Sequence, residues 1–167
     1  MPTVVYLRGA PGTGKRTVAD VLERDLGWPV LWVHHFDAVY KAIGEYKVPL
    51  LTDELMGRTA DHLMKRGRDF LMVRPSRSSW SVAYTAGIAR ANGYKFVPVR
   101  LTAAYPVLAQ RVTRRWHESP FRITTREALD EYLSARPEEP FPGEFEVKTD
   151  ALTPEQIAGR IKELLPQ

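Results

Sequence analysis

"YLRGAPGTGKRTVADVLERDLG", residues 6–27, decides the fold. It is preceded by "TVV", so that β-branched and aromatic residues fill positions 3–8 and run straight into glycine, the pattern of a short buried strand. Beyond the glycines, Val18, Val21, Leu22 and Leu26 recur at helical spacing, and Gly27 stands where a helix would end on a left-handed residue. Between strand and helix, Gly9, Gly14 and Lys15 satisfy G-x-x-x-x-G-K, with Gly12 inside the motif. Glycines let a backbone wrap around a phosphate with its N–H groups pointing inward. The helix N-terminus adds a favourable dipole. Lys15 supplies a mobile charge for the β and γ phosphates. The stretch Gly9, Ala10, Pro11, Gly12, Thr13, Gly14, Lys15, Arg16, Thr17 is therefore expected to hold a nucleoside triphosphate.

Position 16 departs from the simplest form of this loop. A serine or threonine directly after the lysine would ligate magnesium; here Arg16 stands there and Thr17 follows. "GAPGTGKRT" resembles the G-x-P-G-x-G-K-G-T loop of nucleoside monophosphate kinases and their small P-loop relatives. Among these the chain resembles polynucleotide 5′-kinase domains, chloramphenicol phosphotransferase and zeta-toxin-like kinases. The resemblance implies ATP as phosphate donor, a threonine one place later near the α-phosphate, and Mg²⁺ held largely through water, with Thr17 and Asp37 in reach of it. It also implies a three-layer P-loop fold: a five-stranded parallel sheet in the order 2-3-1-4-5, helices on both faces and a small lid carrying arginines. Arg16 either helps to neutralise the triphosphate or points to solvent.

The rest of the chain follows a compatible rhythm. Strands are expected at 29–33, 69–73, 94–101 and 145–150, and helices at 52–67, 79–93, 105–116, about 124–135 and from 154 onward. Thr124 and Glu127 have capping-box spacing, as do Thr153 and Gln156. Strands alternating with helices predict a parallel sheet covered on both faces. No repeat or long linker divides the 167 residues, which read as one domain, with the lid at about 117–143. There is no cysteine, so disulfides and thiolate metal sites are excluded. No apolar run suits a membrane span and the first residues do not read as a signal peptide, so no membrane partner and a cytoplasmic location are expected. The net charge of +4 permits an anionic partner without requiring one.

Phosphoryl transfer needs positioning and charge stabilisation, and a hydroxyl acceptor gains from a nearby base. Asp37 follows the second strand, at the edge where open α/β sheets bind ligands, and in the resembling kinases an aspartate near this place serves the acceptor hydroxyl. The other reading of Asp37 is a helix cap. His34 and His35 lack the further ligands a metal site needs. The third and fourth strands run into Arg74 and Arg100 with no carboxylate at their ends, which leaves Asp37 as the main acid in reach. Arg74 and Arg77 read as a clamp for an anionic acceptor or as surface arginines. Arg111 and Arg115 lie one helical turn apart before the lid, with Arg122 next. The resemblance implies that such arginines stabilise the phosphate in flight.

The expectation is an ATP-dependent kinase whose acceptor is a nucleotide or nucleic-acid hydroxyl. The same scaffold admits a small metabolite or antibiotic as acceptor, and a nucleotide-binding regulator with little catalysis is the reading from another class. The sequence leaves the oligomeric state open.

Overall fold

The computed structural model describes residues 1–43, 49–75, 78–114 and 123–166. Five strands, β1 (Thr3–Arg8), β2 (Val30–Trp32), β3 (Phe70–Arg74), β4 (Lys95–Thr102) and β5 (Phe145–Lys148), form one sheet in the order β2-β3-β1-β4-β5. Every pairing is parallel. The helices are α1 (Lys15–Leu26), α2 (Asp37–Ile43), α3 (Pro49–Lys65), α4 (Ser79–Ala91), α5 (Tyr105–Thr113), α6 (Arg126–Ala135) and α7 (Pro154–Lys162). A 3-10 turn at Val33–Phe36 links β2 to α2. The expected fold and strand order are those observed.

β1 is buried at every position and explains the layering. Val5 and Leu7 pack with Val18 and Leu22 of α1 and with Ile157 and Ile161 of α7. Val4 and Tyr6 point the other way, into Met56 and Ala60 of α3 and Val82 of α4. This is the two-residue alternation of a strand covered on both faces. A third cluster joins Ala10 of the glycine loop to Leu108 and Val112 of α5 and Leu129 of α6. Among the described residues no helix is long and apolar enough to cross a membrane.

Some boundaries shift for local reasons. α3 begins at Pro49 rather than being capped by Thr52, and proline suits a first helical turn, where its missing N–H costs nothing. α6 is capped by Thr125, not Thr124: its hydroxyl accepts from the Ala128 amide at 3.2 Å, which puts Glu127 one place short of the capping-box position. α7 has the expected box, with Thr153 and Gln156 each accepting from the other's amide at 3.2 and 2.9 Å. Pro98 fits inside β4 because it pairs with Tyr6 on one side, while β5 joins the other side only from Val99.

Candidate functional site

The glycine loop turns out of β1 at the C-terminal edge of the sheet. Gly9 has φ +150°, and a Cβ there would lie 2.3 Å from the Leu101 carbonyl oxygen, so no other residue fits. Gly12 and Gly14 also take positive φ, at 92° and 88°. Thr13 is buried, and its hydroxyl donates to the Ala10 carbonyl at 2.8 Å, which closes the turn. Gly14 begins α1 and has no side chain to accept from the helix's first amides, so they face the loop. Lys15 lies over the same concavity, with Nζ donating to the carbonyls of Gly9 and Ala10 at 2.8 Å each. Arg16 and Thr17 are exposed on the first turn of α1. Mobile positive charge, unfilled helix amides and a backbone that only glycine can follow suit a polyphosphate.

Arg111, in the last turn of α5, braces this loop. Its guanidinium donates to the Gly12 carbonyl at 3.3 Å and to the side chain and carbonyl of Thr149, beyond β5, at 2.8 Å each. Asp37 opens α2 and lies 3.2 Å from Nδ1 of His34, which precedes it in the 3-10 turn. The two side chains are about a quarter and a third exposed, so the carboxylate is held while still accessible. His35 is turned back on the chain, its Nδ1 accepting from the Trp32 amide at 3.4 Å. Arg77, Arg115 and Arg122 lie outside the described residues.

Strands β3 and β1 end in Arg74 and Arg8, and Arg100 stands two residues before the end of β4; the three are in register and share one face of the sheet. The sequence shows no carboxylate at these strand ends, but the fold delivers several through space. Asp53, in α3, is buried, forms an ion pair with Arg74 and accepts from Ser81 at 3.1 Å. Arg74 is itself buried, so it is not an open surface cation. Glu144 takes two hydrogen bonds from Arg8, at 2.5 and 2.7 Å, and one from Arg100 at 3.1 Å. Glu138 and Glu146 also pair with Arg100, at 3.1 and 2.7 Å. Asp37 is therefore not alone among acids near this edge, but Asp53 and Glu144 are buried in ion pairs while Asp37 is a quarter exposed. Asp53 and Glu144 sit 21 and 136 residues from the arginines they match, beyond the reach of any local pattern. The signal that could have found them is an arginine ending the otherwise uncharged strands β1 and β3, because a buried guanidinium demands a counter-charge.

Tyr6 lies one pleat below Arg8 and is fully buried. Burial pushes its phenol up to about 12, against the pull of Arg74 and Arg8 and with help from Asp53 and Glu144. The segment that carries Glu144 is strapped over the sheet edge. The Glu139 carbonyl accepts from Arg8 at 2.7 Å, and its carboxylate takes the Ser79 amide and hydroxyl at 2.9 Å each. That bond to the α4 N-terminus, the Ser79 amide first, holds the Glu139 carboxyl below its usual range. Of the stretch expected as a lid, α6 is packed on α5 through Leu129, and the part that follows is this strap.

Known structures share the architecture. A candidate kinase of Chloroflexus aurantiacus superposes with a TM-score of 0.77 at 18% identity over 99% of both chains. The APS kinase of Mycobacterium tuberculosis, solved with AMPPNP and APS, gives 0.71 at 16% identity over 98% of this chain and 96% of that one. A gluconokinase of Sinorhizobium meliloti gives 0.66 at 18% identity over 96% and 89%. At these identities the likeness is one of fold. No curated protein matches the sequence. The sequence does match the family model of an AAA domain over residues 4–139, most of its length and including the whole glycine loop, and the chain belongs to that family.

Proposed function

We propose that the protein is an ATP-dependent kinase that transfers the γ-phosphate of Mg-ATP to a hydroxyl group. The observation that carries this reading is the phosphate loop itself: Lys15, the α1 amides and the brace from Arg111 converge on one concavity. The kinase names of the structural neighbours support it.

Lys15 exchanges its two carbonyl partners for β and γ phosphate oxygens, and the α1 amides hold the rest of the chain. Arg111 fixes the loop and supplies positive charge beside it. Arg115 and Arg122 belong to the same proposed set of phosphate-facing arginines. Magnesium, when bound, neutralises triphosphate charge; Thr17 and Asp37 would hold it through water. Asp37, steadied by His34, takes the proton of the acceptor hydroxyl as that oxygen bonds to the γ-phosphorus. The bond to the bridging oxygen breaks and its electron pair leaves with ADP.

Among acceptors, a specific observation favours an uncharged small molecule over a nucleotide or nucleic acid. Arg74, the described half of the expected Arg74–Arg77 clamp, already has its charge matched by Asp53. The test uses γ-labelled ATP with magnesium and pooled acceptors: 5′-hydroxyl DNA and RNA, nucleosides, nucleoside monophosphates, sugars and hydroxyl-bearing antibiotics. Label should move to one class with the wild type and stay in ATP with Lys15→Ala. Tight ATP binding with no transfer to any class would make the protein a nucleotide-binding regulator instead.

A further inference from the structure

Helix α3 carries a glycine in its interior, which costs a helix about 1 kcal/mol relative to alanine. The structure gives the reason for Gly57. The Tyr84 ring of α4 lies so close to the α3 backbone that a Cβ on residue 57 would sit 2.6 Å from Cε1. Tyr84 is thus held against α3, and Trp80 stacks on it one helical turn earlier, centroids 5.3 Å apart and planes 6° apart. Yet Trp80 remains 51% exposed and Tyr84 37%. Two aromatic rings stacked in parallel planes and left open to water form a shelf rather than a core contact.

The shelf walls a groove of about 340 Å³ whose other lining residues are Asp53, Glu54 and Arg58. Among the described residues the charges there are matched from within. Asp53 is paired with Arg74, and Glu54 accepts from Arg58 at 2.8 and 3.0 Å. A charged ligand would have to break one of these pairs. An uncharged one would find a flat aromatic face together with carboxylate oxygens and guanidinium N–H groups for its hydroxyls. The groove also lies at the right edge of the sheet. Asp53 meets Arg74, whose register partner Arg8 is the residue before Gly9 of the phosphate loop.

We infer that the α3–α4 groove binds an uncharged, hydroxyl-bearing ring, stacked on Trp80 and hydrogen-bonded along Glu54 and Arg58. Two sources offer that chemistry, a saccharide and a nucleoside. The inference that this ring is the phosphoryl acceptor rests on the kinase reading above; its binding does not.

Saturation-transfer NMR tests the binding, with separate pools of neutral saccharides, nucleosides and the corresponding monophosphates. A member of one neutral pool should bind the wild type, which names the source. Its affinity should fall about tenfold in Trp80→Ala, and Trp80→Phe should restore it. Gly57→Ala, which displaces Tyr84, should weaken binding in the same direction. Monophosphates binding as well as their neutral parents, equal binding by Trp80→Ala, or no neutral ring binding at all would each overturn the proposal. Labelled ATP is then added to the ring that binds. A ring held through Trp80 that gains no label leaves the shelf standing and removes its assignment as the acceptor, while no label in any acceptor class removes the kinase reading itself. A labelled ring with the same KM in Trp80→Ala does the reverse.

Discussion

Arg8 ends the strand that feeds the phosphate loop, and Glu144, 136 residues later, takes two hydrogen bonds from its guanidinium. The side chains are 0% and 2% exposed, so neither can turn to water if the other is lost. Glu144→Ala should destabilise the fold by about 3–5 kcal/mol, a drop in Tm of about 10 °C. The paired change Arg8→Met with Glu144→Leu should recover most of it, because it removes both charges together. Thermal denaturation of the double variant beside Arg8→Met and Glu144→Leu alone checks this; additive losses would show that the two residues do not act as a pair.

Tyr6 offers a test with a pH signature. Its hydroxyl is buried and has no hydrogen-bond partner among the described residues. Tyr6→Phe should therefore leave Tm near neutral pH unchanged or raise it by a few degrees. The phenol ionises near 10 when unfolded and at about 12 when folded. A raised pKa contributes stability that is intact below pH 10 and lost as pH rises through 12. Wild-type stability should fall more steeply than that of Tyr6→Phe across this window. Parallel alkaline curves would mean that the phenol is not held up by burial.

Arg111 and Thr149 should act as one unit in nucleotide binding. Arg111→Ala removes the brace on Gly12 and should weaken ATP binding about tenfold. Thr149→Val should have a smaller effect, and the double variant should be no worse than Arg111→Ala alone. Calorimetric titration with a non-hydrolysable ATP analogue measures all three. Fully additive losses would show that Arg111 does not work through Thr149.

Two glycine-to-alanine changes should have opposite signs. Gly9→Ala drives a Cβ into the Leu101 carbonyl and should cost both stability and nucleotide binding. Gly159→Ala, in α7 with open space around its Cβ, should stabilise the protein by about 1 kcal/mol. Urea denaturation reads both, and a destabilised Gly159→Ala would point to a close contact at α7.

These residues also show where the sequence could be read and where it could not. The strands, most helices and the glycine loop were legible because their signals are local: a β-branched and aromatic run through Thr3–Arg8, helical spacing from Val18, glycines and a lysine at fixed intervals. The cap of α6 was misplaced by one residue because adjacent threonines offer the same chemistry and only geometry chooses Thr125. Arg74 read equally well as a clamp or as surface because its partner lies in another helix. The Trp80–Tyr84 shelf left no local trace beyond Gly57, whose meaning appears only when α4 is laid against α3.

The Arg8–Glu144 pair also orders events during synthesis. Of the five strands β1 is made before both its neighbours in the sheet, β3 and β4. The carboxylate that neutralises its terminal guanidinium comes later still. Until then the nascent chain carries a cation that its own core cannot accept. The guanidinium at the root of the glycine loop thus meets its carboxylate partner only once translation has passed Glu144.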